Sequence, residues 1–517
     1  MIAQPQIDIP LAQYTEHFAG IVPHRVAVTD GAARYSYRDL DHAANRVANA
    51  LLADGIRHGD VVGFIGLNSL DYCQLLYGTA KSGATLLPVN WRLAPPELAY
   101  ILRDAAVRVM FCDAQFAPVV ESLRSELPRL ERVIVVGEGG GFSGWRDAAS
   151  DARPDVAYAA EDVALLFYTS GTTGRPKGVL TSNRGLSAGR SAERRMGQWY
   201  LAEPHDVTIA AMPNSHIGGT GWLLMGQFRG GTMLVLPAPD PARMLDCVAQ
   251  HGVTQMFAVP TVVDMMVKEQ QKRPRDLSTL KYIHYGASSF APSQLRDAIE
   301  TMGCGFIQYY GMTETGGLMT VMAPDEHDAN QPERLKACGK PLPGVSIRLC
   351  DAEGREVRTG EVGEIWVRTP AMMNGYLNRP EDTASSYTDD WFRTGDAARR
   401  DSEGFLYIAD RIKDMIISGG ENVYPVEVEN ALLAHEAVAE AAVIGLPHEK
   451  WGEQVAAVIV LKSGRQADAA ALETFLRSQL AGFKIPRRYF FAEALPRTPS
   501  GKIKKFELRV AYGSAEA

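Results

Sequence analysis

Apolar runs and amphipathic segments alternate along most of the chain. Tyr37–Asp54 and Asp71–Lys81 carry apolar residues at helical spacing, which predicts two helices. Short runs rich in Val, Ile and Leu predict buried strands at Val61–Ile65, Thr85–Val89, Val107–Cys112, Arg132–Val136 and Val163–Tyr168. Strands separated by helices indicate a largely parallel sheet with helices on both faces. Ligands of such sheets bind beyond the carboxyl ends of the strands, which is where the loop after Tyr168 begins.

The pattern repeats and then changes in the second half of the chain. A second α/β set has predicted strands at Val207–Ala211, Thr232–Leu236, Met256–Val259 and Tyr282–Tyr285. Between residues 345 and 368, polar and apolar positions alternate on both sides of a turn at Asp351–Gly354. This alternation predicts a small antiparallel β subdomain.

A new unit of about a hundred residues follows Arg411, a length that suits a separate small domain. Its predicted elements are helices around Val428–Leu432 and Leu472–Leu476 and strands at Val438–Ile444 and Val455–Leu461, with a frayed tail at Tyr512–Ala517. The predicted fold class is therefore α/β. Residues 1–411 form two doubly wound α/β subdomains plus a small β subdomain, and residues 412–517 form a small α+β domain.

Composition narrows the class of protein. The chain has 517 residues, too many for one ordinary hydrophobic core, and its 46% hydrophobic and 22% charged residues are typical of a soluble globular protein. A net charge of −8 argues against nucleic acid as the main partner. The sequence has neither a signal-peptide pattern at its start nor an apolar run of membrane-spanning length. Its six cysteines are scattered without metal-site spacing. We therefore expect a cytoplasmic enzyme with reduced cysteines.

The loop after Tyr168 has the composition of a phosphate-binding cradle. Glycines let backbone N–H groups turn inward, and hydroxyl and cationic side chains add further donors. These residues are Thr169, Ser170, Gly171, Thr172, Thr173, Gly174, Arg175, Lys177 and Gly178. The spacing is not that of a P-loop, because Gly178 rather than Ser or Thr follows the lysine. By composition alone, an ordinary glycine-rich surface loop is an equal alternative.

The stretch Gln308–Thr315 is a second chemical signal. Glu314 can supply a hard carboxylate for Mg²⁺, Thr313 a hydroxyl for a phosphate oxygen, and Tyr310 a flat face for a base. The alternative is a turn near a buried aromatic pair.

Three more stretches carry charge at suggestive places. Trp391–Asp396 ends in an acid after a glycine turn, which suits the two hydroxyls of a ribose. Gly404–Pro425 joins the two predicted domains and contains several charges, although an exposed linker would look similar. Pro496–Lys502 ends in a lysine after a glycine turn, which taken alone is most often a surface lysine.

Together these five stretches resemble the adenylate-forming superfamily, which includes acyl-CoA synthetases, firefly-type luciferases and peptide-synthetase adenylation domains. They occur in the family's order and rough spacing, and the resemblance covers essentially the whole chain. Within them, the stretch Asp410–Pro425 is most similar to that of bacterial fatty acyl-CoA synthetases. The resemblance implies ATP contacts by Thr169, Ser170, Gly171, Thr172, Thr173, Gly174, Lys177, Gly286, Ala287, Tyr310, Gly311, Asp396 and Arg411. It implies Glu314 and Thr169 as magnesium-linked residues and Lys502, His216, Glu314 and Thr313 as catalytic residues.

The resemblance also implies a reaction in two halves. A carboxylate attacks the α-phosphorus of ATP, which gives an acyl-adenylate and pyrophosphate, and Lys502 bridges the carboxylate and the α-phosphate. The small domain is mobile and then rotates about a hinge at Lys413. The loop with Ser418, Gly419, Gly420 and Glu421 thereby faces the coenzyme A channel. The thiol of coenzyme A then takes the acyl group and AMP leaves. Acetylation of Lys502 would block the first half.

The identity of the substrate carboxylic acid is the least constrained part of the prediction. His216 matches the family histidine at the carboxylate end of the pocket, and the predicted acyl pocket contains Trp222, Met312, Gly316 and Gly317. The sequence departs from the family pattern at Asn214–Ser215, where an aromatic is usual, and at Ser288–Ser289. No acid lies between residues 212 and 225, which disfavours an amino-acid substrate. Apolar lining favours a medium- to long-chain fatty acid, and an aryl acid of the cinnamate or benzoate type is the alternative.

The predicted partners follow from this reading. They are ATP, Mg²⁺, coenzyme A and a small carboxylic acid, with no nucleic acid and no transmembrane segment. Homodimerisation is left open. A luciferase-like oxygenase would share the ATP motifs, a P-loop ATPase is disfavoured by the lysine spacing, and an inactive nucleotide-binding protein is disfavoured by intact Lys502, Glu314 and Asp396.

Overall fold

The structure is a computed structural model that describes most of the chain. The described residues are 9–169, 176–195, 205–288, 290–328, 330–411, 414–418, 421–449, 451–497 and 503–513. Their strands are β1 (Val26–Thr29), β2 (Arg34–Ser36), β3 (Val61–Ile65), β4 (Thr85–Val89), β5 (Val109–Asp113), β6 (Arg132–Val136), β7 (Val163–Thr169), β8 (Lys177–Ser182), β9 (Val207–Ala210), β10 (Thr232–Val235), β11 (Gln255–Ala258), β12 (Tyr282–Gly286), β13 (Gly305–Tyr310), β14 (Thr320–Met322), β15 (Lys340–Pro341), β16 (Ser346–Cys350), β17 (Val362–Arg368), β18 (Tyr387–Thr388), β19 (Trp391–Arg400), β20 (Leu406–Arg411), β21 (Ile416–Ser418), β22 (Glu421–Val423), β23 (Val438–His448), β24 (Gly452–Leu461) and β25 (Arg488–Phe491).

Helices connect most of the parallel strands. They are α1 (Tyr14–Ile21), α2 (Tyr37–Ala53), α3 (Leu70–Lys81), α4 (Pro95–Asp104), α5 (Ala117–Ser122), α6 (Phe142–Asp147), α7 (Asn183–Arg194), α8 (Ile217–Phe228), α9 (Pro241–His251), α10 (Pro260–Lys272), α11 (Pro292–Met302), α12 (Pro380–Ser385), α13 (Pro425–Leu433), α14 (Ala469–Arg477) and α15 (Lys505–Gly513). Local capping fixes several starts. Ser36 and Asp39 form a capping box at α2, and Ser69 accepts from the Tyr72 N–H at α3.

Two large sheets form the α/β part of the chain. The first has the order β6-β5-β3-β4-β7-β8, and it is parallel except for the antiparallel pair β7 and β8. The second has nine strands in the order β15-β14-β13-β12-β11-β9-β10-β1-β2, and the six central strands, β13 to β1, are parallel. The prediction of two α/β subdomains with largely parallel sheets is confirmed.

Alternation along each strand places helices on both faces of the first sheet. In β5, Val109 and Phe111 belong to the core that α2 and α3 also fill, whereas Met110 and Cys112 belong to the core under α4. Because successive side chains of a strand point to opposite faces, one short apolar run supplies both cores.

Two smaller sheets follow. β16, β17, β19, β18 and β20 form an antiparallel sheet, as the alternation predicted, and its core includes Val179 from β8. β21 to β25 form a fourth sheet, packed against α13 and α14 on one face and α15 on the other. The large N-terminal part and smaller C-terminal part therefore match the predicted fold class.

After the glycine-rich loop the chain returns as strand β8, antiparallel to β7. One feature of the chain differs from the prediction. Tyr512 is not part of a frayed tail, because α15 extends to Gly513 and the Tyr512 ring stacks on Phe490 with 4.4 Å between centroids.

Two expectations from composition concern the cysteines and membrane-spanning segments. All six cysteines carry free thiols, and burial raises the pKa of the Cys73 thiol to about 12. Within the described residues, no helix combines the length and the apolar character needed to cross a bilayer.

Candidate active site

The candidate site lies at the carboxyl ends of parallel strands from both large sheets. β7 ends at Thr169, β12 ends at Gly286 and β13 ends at Tyr310, and each of these ends coincides with a predicted ATP-binding stretch. Chain leaving the carboxyl ends of a parallel sheet is the usual place for a ligand. The fold therefore collects stretches that lie more than a hundred residues apart.

The hairpin of β7 and β8 carries the glycine-rich loop. Thr169 is opposite Lys177 in the antiparallel register, so the two flank the loop between them. The predicted ATP contacts Ser170, Gly171, Thr172, Thr173 and Gly174 lie outside the described residues. Lys177 is largely buried. Its Nζ lies 3.1 Å from Asp382 Oδ2 and 5.1 Å from the centroid of the Tyr376 ring.

Tyr310 and Asp396 are brought together across two sheets. The Tyr310 hydroxyl, at the end of β13, donates to Oδ2 of Asp396 in β19 over 2.6 Å. Burial, together with the Asp396 carboxylate, raises the pKa of Tyr310 well above its usual value, so the hydroxyl keeps its proton. Asp396 is opposite Arg411 in the register of β19 and β20, although the Arg411 side chain is outside the described set.

The chain between Gly311 and Gly317 turns too tightly for side chains at both ends. A Cβ on Gly311 would lie 2.3 Å from the Gly317 carbonyl oxygen, and Gly317 itself has a φ of +93°. Between them, Thr313–Thr315 forms one helical turn that buries Glu314. The predicted ATP contacts Tyr310 and Gly311 are therefore followed at once by Thr313 and Glu314, which are predicted to contact a phosphate oxygen and Mg²⁺.

Glu314 is held by a neighbouring segment. Its Oε1 accepts a hydrogen bond from the Tyr376 hydroxyl over 2.9 Å, and its carbonyl oxygen accepts one from the Met373 N–H over 2.8 Å. Burial, with Glu314 beside it, raises the pKa of Tyr376 far above its usual value, so Tyr376 is a donor at neutral pH. The Tyr376 hydroxyl thus holds the Glu314 side chain through one of its two carboxylate oxygens.

Gly286 and Ala287 lie beside the base-contacting strand. Gly286 is opposite Tyr309 in the parallel register, and a Cβ there would come 2.5 Å from the Tyr309 carbonyl oxygen. Ala287 has a φ of +68°, a conformation that costs about 1 kcal/mol or more for a residue with a Cβ. Such strain persists only where surrounding structure requires it, and it often marks a ligand site.

His216 occupies the N-cap position of α8 and lies near the glycine turn. A Cβ on Gly317 would come 3.1 Å from Cγ1 of Ile217, the residue after His216, so the two predicted walls are adjacent. Gly316 instead faces Ala371, and Met312 packs with the core of the third sheet.

Trp222 is deeper than the other predicted pocket residues. It is 4% exposed, its indole N–H donates to the Ile209 carbonyl over 2.8 Å, and its ring lies 4.6 Å from that of His284. The His284 ring is hydrogen-bonded to the side chains of Tyr309 and Gln255, and burial holds the pKa of His284 well below its usual range. Trp222 is therefore part of a buried cluster of aromatic rings with His284 and Tyr309.

Comparison with known proteins identifies the family. The family model of the AMP-binding enzyme matches residues 15–377, and that of the AMP-binding enzyme C-terminal domain matches residues 427–502. The chain belongs to the AMP-binding enzyme family. It is an AMP-forming acyl-CoA synthetase of the adenylate-forming superfamily, and thus a ligase that uses ATP and coenzyme A, as predicted.

Relatives and solved structures extend over the whole chain. The fatty acid–[acyl-carrier-protein] ligase ScoC of Streptomyces coeruleorubidus is 39% identical, with 98% of this chain and 96% of that protein covered. A feruloyl-CoA synthase from Amycolatopsis is 38% identical, with 96% and 97% covered. The ATP-bound structure of MatB from Rhodopseudomonas palustris has a TM-score of 0.90 at 32% identity, covering 98% of this chain and 99% of that one.

Several predicted residues of this AMP-binding enzyme lie outside the described ones. They are Lys413, Gly419, Gly420 and Lys502. Ser418 is described and buried, and it is opposite Glu421 in the hairpin of β21 and β22. The Glu421 side chain is not among those described.

Sequence reasoning missed Tyr376 and Asp382, which contact Glu314 and Lys177. Neither residue belongs to a run with helical or strand periodicity, so no local pattern indicates them. The one available signal is the pair Asn374–Gly375 just before Tyr376, which marks a turn but not its partner.

The donor set of the AMP-binding enzyme suits a hard cation held jointly with a substrate. Across the described ranges, no group of three or more His, Cys, Asp or Glu side chains could hold a metal ion. Glu314 offers one buried carboxylate, and Mg²⁺ is commonly bound by one or two carboxylates plus substrate phosphates. The residues present therefore fit Mg²⁺ delivered with ATP.

Proposed function

We propose that this acyl-CoA synthetase activates a medium- to long-chain fatty acid. The observation that supports the adenylating geometry is the Tyr310–Asp396 hydrogen bond, because it joins a predicted base contact to a predicted ribose contact. Two observations favour a fatty acid. Trp222 and the neighbouring interior residues are apolar, and a relative 39% identical is named a fatty acid ligase.

In this proposal the chain's residues work mainly by charge stabilisation. A carboxylate oxygen of the acid forms a bond to the α-phosphorus while the bond from that phosphorus to pyrophosphate breaks. Two anions approach each other in this step, and Lys177, the loop donors and Lys502 offset their repulsion. Mg²⁺ bound with ATP at Glu314, with Thr169 beside the phosphates, would further neutralise charge on the phosphate oxygens.

The same proposal assigns positions to the other substrates. Tyr310 offers its ring to adenine while its hydroxyl orients Asp396 toward the ribose hydroxyls. His216 lies at the carboxylate end of the acyl pocket. In the second half, the thiolate of coenzyme A attacks the acyl carbonyl and AMP leaves. Ser418, Gly419, Gly420 and Glu421 would line its approach after residues 412–517 rotate about Lys413.

An aryl acid is the second candidate substrate. Two observations favour it: the feruloyl-CoA synthase relative is 38% identical, nearly equal to the fatty acid ligase, and the predicted pocket residue Trp222 packs on the ring of His284. A flat ring would stack on such an aromatic pair more readily than an alkyl chain would.

A second acceptor thiol is possible beside that of coenzyme A. The name of ScoC, a fatty acid–[acyl-carrier-protein] ligase, makes a phosphopantetheine thiol on an acyl carrier protein the candidate. Both thiols end the same kind of flexible arm, so the same channel would serve them. We place the reaction in the cytoplasm, where ATP, coenzyme A and reduced thiols are available.

The test is AMP and pyrophosphate release with ATP, Mg²⁺ and a panel of acids. The panel runs from acetate to palmitate and includes benzoate and cinnamate. Each acid is assayed with coenzyme A, with an acyl carrier protein that bears a free phosphopantetheine thiol, and without a thiol. Fastest turnover on acids of medium or long chain supports the proposal. Fastest turnover on an aryl acid replaces it with the second candidate, and ADP in place of AMP refutes both.

A further inference from the structure

The segment from Met373 to Thr383 joins the strand after the glycine-rich loop to Glu314. Its main chain pairs with β8: the Asn374 N–H donates to Leu180, and the Leu180 N–H donates to Gly375, over 2.8 and 3.0 Å. Tyr376 is opposite Val179 in an antiparallel bridge. Tyr376 therefore keeps a fixed position relative to Lys177, which begins β8.

The position of Tyr376 is fixed from the other side as well. Its N–H donates to Thr383 Oγ1 over 2.9 Å, and that hydroxyl donates to the Arg379 carbonyl over 2.9 Å. Gly375 has a φ of +114°, and a Cβ there would come 3.1 Å from Thr383. A glycine is required for this close approach, so the turn that presents Tyr376 is specified by sequence.

The Tyr376 side chain touches both charged groups of the site. Its hydroxyl donates to Glu314 Oε1 over 2.9 Å, and its ring lies 5.1 Å from Lys177 Nζ. Lys177 is in turn held by Asp382 at 3.1 Å, from the same segment. One short segment thus sets the distance and orientation of a phosphate-loop cation and a buried carboxylate.

We propose that Tyr376 is a positioning residue that orients the Glu314 carboxylate for the metal–ATP complex and couples that orientation to Lys177. The inference rests on the proposed role of Glu314 in holding Mg²⁺. The hydroxyl occupies one carboxylate oxygen and so fixes the rotation of the carboxylate group. Ligating carboxylates are commonly held in this way, and loss of such a partner typically costs about 10–100-fold in metal affinity or activity.

The test variant is Tyr376→Phe, which removes the hydroxyl and keeps the ring beside Lys177. The matched control is Tyr407→Phe, because the Tyr407 hydroxyl donates to Asp401 over the same 2.9 Å on the third sheet, outside the site. Binding of Mn²⁺ in the presence of α,β-methylene-ATP, which is not cleaved at the α-phosphorus, is measured by electron paramagnetic resonance. A third variant, Glu314→Gln, measures the contribution of the carboxylate itself.

We expect Tyr376→Phe to weaken Mn²⁺ binding about 10-fold or more, and Tyr407→Phe to leave it unchanged. The thioester half-reaction, started from preformed acyl-adenylate, should be spared in Tyr376→Phe, which also shows that the variant is folded. Weaker binding in Glu314→Gln but not in Tyr376→Phe overturns the inference and leaves the proposed function standing. Unchanged binding in Glu314→Gln overturns the metal role of Glu314 and the inference with it.

Discussion

The hydrogen bond between Tyr310 and Asp396 gives the sharpest test of the ATP site. Tyr310→Phe removes only the hydroxyl that donates to Asp396 over 2.6 Å, and it keeps the aromatic face proposed for adenine. A hydrogen bond to a charged group contributes about 1.5–3 kcal/mol. This hydrogen bond is present without ATP, so its loss affects ATP binding only as far as it releases Asp396 from the orientation that the ribose needs. Because about 1.4 kcal/mol corresponds to a factor of ten, that energy sets an upper limit, and we expect the KM for ATP to rise several-fold, up to about 100-fold.

The assay is ATP–pyrophosphate exchange with the best acid from the panel, at varied ATP and then at varied acid. The KM for the acid should change little, since Tyr310 is assigned to the nucleotide. Tyr407→Phe serves as a control for the general loss of a tyrosine–carboxylate hydrogen bond. A double-mutant cycle that combines Tyr310→Phe with Asp396→Asn measures the coupling energy between the two side chains in the same assay. We expect this energy to be at least about 1 kcal/mol.

Two results would refute this reasoning. One is a KM for ATP within about twofold of the parent value in folded Tyr310→Phe, because the hydrogen bond would then not orient the ribose site. The other is a coupling energy under about 0.5 kcal/mol, since two groups 2.6 Å apart in one site should not act independently.

Three further predictions follow from the described residues and the proposed roles. Lys502→Ala, or acetylation of Lys502, should slow pyrophosphate release by about 10²–10³-fold and spare thioester formation from preformed acyl-adenylate, and equal loss of both halves would contradict its assignment. Trp222→Leu should move the preferred acid toward longer chains in the same panel, because it replaces the indole beside His284 with a smaller side chain, and an unchanged preference would remove Trp222 from the predicted pocket. Burial lowers the pKa of His327 from 6.5 to about 4, so the unfolded chain takes up a proton that the folded protein refuses, and stability is lost as the pH falls from 6.5 toward 4, by up to about 3 kcal/mol. His327→Gln should flatten the fall in the calorimetric melting temperature between pH 7 and pH 4, and an identical fall in the variant would contradict this account.

The sequence predicted the central strands well because of how they are buried. Val61–Ile65 and Thr85–Val89 match β3 and β4 at both ends. A strand buried on both faces is a continuous apolar run with sharp limits, so its pattern suffices. β1 and β2 are short and lie at the edge of the second sheet, and β1 pairs with β10 from the middle of the chain. No local pattern could indicate such a partner.

The site was predicted as a set of stretches but not as a set of contacts. The order of motifs singled out Tyr310, Glu314 and Asp396, yet the hydrogen bond from Tyr310 to Asp396 depends on how the third sheet docks beside β13. Docking of this kind depends on cores such as the one that Val179 shares with Ile365 and Phe392. Spacing along the chain does not contain that information.

The two carboxylates of the candidate site share one solution to the problem of burial. Asp396 and Glu314 are 8% and 6% exposed, and a buried carboxylate must be hydrogen-bonded to be tolerated. Each accepts a hydroxyl from a tyrosine, Tyr310 or Tyr376, whose pKa is raised by burial and by that carboxylate. A tyrosine hydroxyl satisfies and orients a carboxylate oxygen without contributing a positive charge. Because a tyrosine carries no charge at neutral pH, charged or metal-binding patterns in the sequence do not indicate Tyr376.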